Sequence, residues 1–191
     1  IMYTSIISAT KKQIHGLLLA SVVVTLLLVS SACSATSPTK GKWFAGDTLQ
    51  INLIELKRTM ELRYPGTDGG HYLVSPSKPD LELVMARLDI RNAKASKAIF
   101  TIDTEAAALM GADIYNDVYV PIDVDRRRIK VSEAHDSENE FARISTSCPT
   151  AAPCVLFLRG PVELSQNFQL LGWMVFEVPK GAELREFKWQ A

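Results

Sequence analysis

Leu81-Glu-Leu-Val-Met-Ala-Arg-Leu-Asp-Ile-Arg-Asn92 is the stretch on which the fold turns. Val84, Ala86, Leu88 and Ile90 recur at every second position, with Arg87, Asp89 and Arg91 between them. Successive side chains of a strand point to opposite faces, so this period of two predicts a strand and not a helix. Leu83 and Met85 fall on the polar side. That end of the strand is therefore expected to be covered on both faces.

The same period continues on either side. Leu49, Ile51 and Leu53 alternate with polar residues, then the alternation shifts at Ile54 and Leu56, and a bulge is expected before Met60-Glu-Leu62. Tyr64 to Gly70 is dense in turn residues and His71 to Val74 is a brief extended piece. Ala98–Ile102 predicts a strand, Glu105–Met110 a short strand entering the turn at Gly111, and Asp117–Ile122 a strand whose Pro121 suits an edge. Val155–Leu158 and Pro161–Leu164 predict a broken strand pair, and Leu171–Val178 with Leu184–Trp189 a closing hairpin. Residues 126 to 147 are polar and charged, which predicts a long surface loop. Seven or eight short strands with no long helix after residue 32 argue an all-β, antiparallel sandwich. Val84, Leu88, Ile90, Phe100, Trp173, Val175 and Phe176 are its candidate core, each stabilising by roughly 1.5–3 kcal/mol when fully buried.

The chain has 191 residues, and 21 basic residues balance 21 acidic ones. A neutral chain of this length predicts one domain and gives no electrostatic reason to seek nucleic acid. Its apolar residues are concentrated at the start. Lys11, Lys12 and His15 precede an uncharged run from Gly16 to Val29, followed by Ser30-Ser31-Ala32-Cys33. A basic segment, an apolar segment and a small-residue site predict a secretory signal peptide over 1–32. As a helix the apolar run measures roughly 21 Å, short of the ~30 Å hydrocarbon core. An uncleaved membrane anchor is the alternative.

Ser31-Ala32-Cys33 resembles the lipobox of bacterial lipoproteins, in which the cysteine becomes the lipidated N-terminus of the mature chain. Ser30 departs from it, since that family has Leu or Val there, and the same small residues suit ordinary signal peptidase. The resemblance implies lipidation at Cys33, a flexible tether over 33–42 and a folded body over 43–191. There are three cysteines. Cys148 and Cys154 enclose a short proline-flanked loop that suits a local disulfide in an exported protein, leaving Cys33 unpaired.

Gly172-Trp-Met-Val-Phe-Glu-Val-Pro-Lys180 resembles the ending of a family of bacterial secreted domains with an immunoglobulin-like sandwich. The long apolar strand ending in Asn92 and the segment Gly111–Pro121 are similar to the same family. The resemblance covers about residues 43 to 191 and departs in the loop at 123–153. It implies an immunoglobulin-like fold, related to that of a mycobacterial immunoprotective antigen, and a place outside the cytoplasm. No activity follows from it.

Signals of chemistry are sparse. The three histidines (His15, His71 and His135) show no metal-ligand spacing, and no Cys-x-x-Cys, Gly-x-Ser-x-Gly or phosphate-binding glycine loop is present. Asp113, Asp117, Asp123 and Asp125 are close enough in sequence to suggest a hard cation, but acidic residues also mark turns. Trp43, Trp173 and Trp189 are expected to pack and not to stack on a ligand. The basic block Arg126, Arg127, Arg128 and Lys130 runs into Glu133, Asp136, Glu138 and Glu140. It is either a self-paired surface loop or a contact for an acidic envelope polymer or lipid headgroups.

The sequence thus predicts a lipid-anchored, extracytoplasmic binding module that is not an enzyme and uses neither metal nor cofactor. Its partners would be the membrane, through its lipid, and an envelope protein or polymer, with no nucleic acid. A metal-dependent or hydrolytic enzyme using His71 with nearby carboxylates, and a structural spacer, are the alternatives.

Overall fold

The computed structural model describes residues 40–113, 117–133, 141–144 and 154–190, all within one compact unit, Ser37–Ala191. The predicted signal segment, Cys33, Cys148 and His135 lie outside the described residues. The first strands are β1 (Trp43–Ala45), β2 (Leu49–Thr59), β3 (Glu61–Pro65), β4 (His71–Val74) and β5 (Leu81–Asn92). β6 (Lys97–Ile102), β7 (Ala107–Gly111) and β8 (Val118–Tyr119) precede a single helical turn, α1 (Val124–Arg127). β9 (Ile129–Val131), β10 (Phe141–Arg143), β11 (Cys154–Phe157), β12 (Gly160–Ser165), β13 (Gln169–Pro179) and β14 (Leu184–Trp189) complete the chain.

The strand read from Leu81 to Asn92 is the middle of the central sheet, whose order is β1-β2-β5-β13-β11. β2 and β13 flank it antiparallel, with Leu53 and Gly172 both opposite Leu88. Three further sheets lie around it: β10-β3-β4-β9, β12-β6 and β14-β7-β8. Val84, Ala86, Leu88 and Ile90 pack with Met174, Phe176 and Val178 against Ile102, Leu109, Leu164 and Phe187 of the two small sheets. On the opposite face Leu83, Met85 and Val175 pack against Leu62, Tyr64 and Val74 of the four-stranded sheet. The central sheet is therefore covered on both faces at the Leu81 end, as Leu83 and Met85 required. From Leu83 to Ala86 no side chain exceeds 1% exposure.

Two residues turn the chain between layers. Thr59, buried at the end of β2, donates from Oγ1 to the Glu61 carbonyl (2.7 Å) and accepts from the backbone N–H of Glu61 and of Ala142. Its side chain thus takes up backbone groups freed where β2 bends into β3. Asn92, fully buried, donates from Nδ2 to the carbonyls of Ala95 (2.8 Å) and Leu164 (2.9 Å), and its Oδ1 accepts from Ala95 N–H. The asparagine that ends the long strand closes one turn and holds β12 in place.

Several expectations are corrected. Fourteen strands are described where seven or eight were expected, and two pairings are parallel, β10 with β3 and β11 with β13. β13 and β14 do not form a hairpin: β13 already pairs on both edges, so β14 pairs with β7 in another layer. Phe176 and Phe187 meet instead across the core, edge to face at 6.3 Å. β11 and β12 likewise part into different sheets at Gly160, whose φ of +73° suits glycine. The bulge expected before Met60 is present, between Leu53 and Glu55, where the alternation shifts. The loop read over 123–153 contains α1, β9 and β10, because Asp123 caps a helical turn and β9 completes an open edge of β4. Of the candidate core, Phe100 and Trp173 are only partly buried, at the margins of the two clusters.

Gly172 faces β11, where an added Cβ would lie 2.8 Å from Leu158 Cγ and 3.0 Å from Val155 Cγ2. Gly172→Ala is therefore expected to destabilise the fold by about 1–3 kcal/mol through overpacking. Urea unfolding should show the midpoint falling with an unchanged slope.

Candidate functional site

The four-stranded sheet covers only the Leu81 end of the central sheet, and a cleft of about 870 Å³ opens beside it. Its floor is the outward face of the central sheet. Arg87 of β5 stands there in register between Glu55 of β2 and Trp173 of β13, with its guanidinium carbon 5.9 Å from the centroid of the Trp173 ring. The walls are Tyr64 to Thr67 with Arg143 and Ile144 on one side, and the chain from Cys154 to Arg159 on the other. At one end Arg128 and Arg159 share a carboxylate: Arg128 Nη1 lies 3.1 Å from Asp125 Oδ1, and Arg159 contacts Oδ2.

The cleft's charge is unbalanced. Lys57, Arg87, Arg128, Arg143 and Arg159 line it against Glu55 and Asp125. Low-dielectric walls concentrate such a field, so the cleft is suited to an anion. Planar guanidinium groups over aromatic rings suit one bearing phosphate or carboxylate. Aromatic packing builds the wall: Tyr64 stacks on Tyr72 at 5.7 Å and meets Phe157 edge-on at 4.8 Å. Burial pushes the Tyr64 hydroxyl above its ordinary pKa, opposed by the neighbouring Arg128.

The predicted basic block does not act together. Arg126 is exposed and lies 3.7 Å from Asp123. Arg127 turns away to the Ser75 carbonyl and Glu177, each at 2.9 Å. Arg128 covers the Tyr72 ring at 4.4 Å and enters the cleft. Lys130 reaches Asp68 at 3.5 Å. One helical turn followed by extended backbone sends these neighbours in different directions. Burial would raise the Glu177 carboxyl, but hydrogen bonds from Arg127 and Ser77 outweigh it and hold it below the ordinary range. The exposed Asp68 carboxyl is lowered to about 2 by the Tyr72 hydroxyl and the Gly70 N–H, with Lys130 adding to both.

Arg87, Arg143 and Arg159 join Arg128 only in space, and sequence reasoning missed them as a group. Arg87 carried a signal, as an arginine just beyond the covered end of the strand. His71 lies 4.0 Å from Glu133, and both side chains are well exposed. Asp123 caps α1, accepting from Asp125 N–H (3.0 Å) and Arg126 N–H (3.3 Å). Asp113 accepts from Asp117 N–H, and Asp117 from the Tyr119 hydroxyl. Among the described residues no three His, Cys, Asp or Glu side chains are grouped to hold a metal. Of the tryptophans, Trp189 packs against Phe100, Trp173 floors the cleft and Trp43 is exposed. Cys154 is disulfide-bonded, and both other cysteines lie outside the described residues.

No protein-family profile matches the chain, and no curated protein does. It is similar to a solved structure from Bacillus subtilis described as "a putative lipoprotein (ycdA)", at 11% identity and a TM-score of 0.39. The match covers 75% of this chain and 31% of that one, so the chain spans about a third of its length. A likeness of this size carries neither a fold nor an activity across.

Arg127→Ala is expected to destabilise the fold by about 1–2 kcal/mol, since it removes two hydrogen bonds and leaves Glu177 short of its partner. Arg126→Ala should change stability by less than about 0.5 kcal/mol, as for other exposed pairs. The Glu177 contribution is present at neutral pH and lost as pH falls through its lowered folded pKa. Urea melts across acid pH should therefore show a shallower acid-side loss in Arg127→Ala.

Proposed function

We propose that this chain is a lipid-anchored, extracytoplasmic binding module with an immunoglobulin-like body, and that its arginine-lined cleft holds an acidic segment of an envelope polymer. The immunoglobulin-like reading is supported by consecutive strands that repeatedly change layers, β5 to β6, β11 to β12 and β13 to β14. Anchoring is supported by Ser31-Ala32-Cys33 after the apolar run, and the pairing of Cys148 with Cys154 by their spacing. The observation that carries the binding reading is the convergence of Arg87, Arg128, Arg143 and Arg159 on one cleft with Trp173 in its floor. On this reading the cleft selects by charge, and the module is a binder and not an enzyme. The exposed pair of His71 and Glu133 lines a smaller neighbouring pocket, which shares Tyr64, Pro65, Arg143 and Ile144 with the cleft.

The cleft is tested with two chains of known charge, inorganic polyphosphate and polyglutamate, titrated at two salt concentrations. Arg87→Gln and Arg159→Gln should each weaken binding of the preferred chain about tenfold, the equivalent of about 1.4 kcal/mol for a charge-assisted contact. Asp125→Asn should tighten it, because Arg128 and Arg159 lose their internal counter-ion. Indifference of both polyanions to all three substitutions would leave the spacer reading.

For anchoring, intact-mass analysis of a Cys33→Ser variant should show a chain without lipid, released into the medium. The same mass should rise by a pair of hydrogens on reduction if Cys148 and Cys154 are joined. Continued membrane retention of the variant would favour an uncleaved apolar helix.

A further inference from the structure

A second groove, of about 740 Å³, runs along the opposite core, at the open edge between β1 and the strands β6 and β14. Phe44, Leu49, Ile51, Leu53, Phe100 and Trp189 give it an apolar lining. Large apolar side chains stand exposed beside it, Ile99 at 73% and Phe44 at 44%, while Trp43, 42% exposed, pairs with Asn52 and points to the other face of the same edge strand, so the edge carries a ring on each side. Lys97 and Lys188 stand at its rim with Asp47 and Glu186, and the exposed Lys40 and Lys42 lead into β1. Soluble surfaces rarely gather apolar groups in this way without a use for them.

Resting on the anchored reading of Cys33, we propose that this edge lies against the bilayer surface, with Trp43 and Phe44 at headgroup depth. The length of the tether argues for it. Fully extended, the chain from Cys33 to Lys42 reaches at most about 32 Å. A domain of this size has a radius of gyration of about 15 Å, so such a tether holds the β1 edge close to the membrane. The side chains at that edge are of the kind that settle at an interface, aromatic rings beside lysines whose stems lie on apolar surface while their charges meet headgroups. The arginine cleft opens on the other core, away from this groove, and stays open to the envelope.

The chain has three tryptophans, Trp43, Trp173 and Trp189, so the Trp43 signal is isolated by substitution. The full lipidated chain, purified from membranes, is reconstituted on phosphatidylcholine–phosphatidylglycerol vesicles carrying brominated acyl chains. Tryptophan emission should be quenched, Trp43→Phe should abolish most of that quenching, and Trp173→Phe should retain it. Equal quenching in the two variants, or none on vesicles to which the chain has floated, would overturn the proposal and leave the anchor standing. A chain that fails to float with the vesicles removes the anchor and this proposal together.

Discussion

A strand buried on both faces is the constraint from which the rest of this structure follows. β5 cannot leave Leu83 and Met85 in water on one side while Val84 and Ala86 are buried on the other. Each such side chain stabilises the fold by roughly 1.5–3 kcal/mol only if something covers it. Two small sheets satisfy one face. The other is satisfied by bending β2 at Thr59 into β3, which starts the four-stranded sheet. Because that covering sheet is short, the Arg87 end of the strand lies beyond it, with Arg87 and Arg91 half-buried and Asp89 buried, and the cleft opens at this boundary. Fold and candidate site thus have one origin, the change of pattern along β5 from Leu83-x-Met85 to Arg87-x-Asp89-x-Arg91.

That change of pattern was legible in the sequence, and so was the all-β character of the body. The bounds of β5, its buried face and the need for a cover at Leu83 and Met85 all follow from a period of two. Partner choice was not legible. Leu171–Val178 and Leu184–Trp189 look like a hairpin because they are adjacent strands with a turn between them. Whether β13 has an edge to offer depends on β5 and β11, one of them some ninety residues away, and no local pattern encodes that occupancy. The stretch 123–153 misled for a related reason. Ile129–Val131 alternates apolar and polar for only three residues, too few to mark a strand, so its pairing is visible only once β4 is seen to have an open edge.

The candidate site shows the same division. A run of basic residues attracts attention in a sequence, but Arg126, Arg127, Arg128 and Lys130 point to four different surroundings. Arg127 is a strut between layers, holding Glu177 to the Ser75–Ser77 loop. The arginines that do converge come from β5, from β10 and from the turns before β9 and β12, and only the three-dimensional arrangement collects them. Composition gave no warning, because a net charge of zero over the whole chain is compatible with a local excess of cations on one face.

Asp125, held between Arg128 and Arg159, makes the cleft a site that already contains one anion of its own. Any guest entering there must first displace that carboxylate, which remains tethered nearby and competes for its return. A singly charged guest merely swaps one such group for another and gains little. A chain with repeated charges, reaching Arg87 and Arg143 at the same time, gains what the swap does not supply. On the proposed reading of the cleft, the internal carboxylate would act as a filter on valence, disfavouring chloride and small acids against polymers.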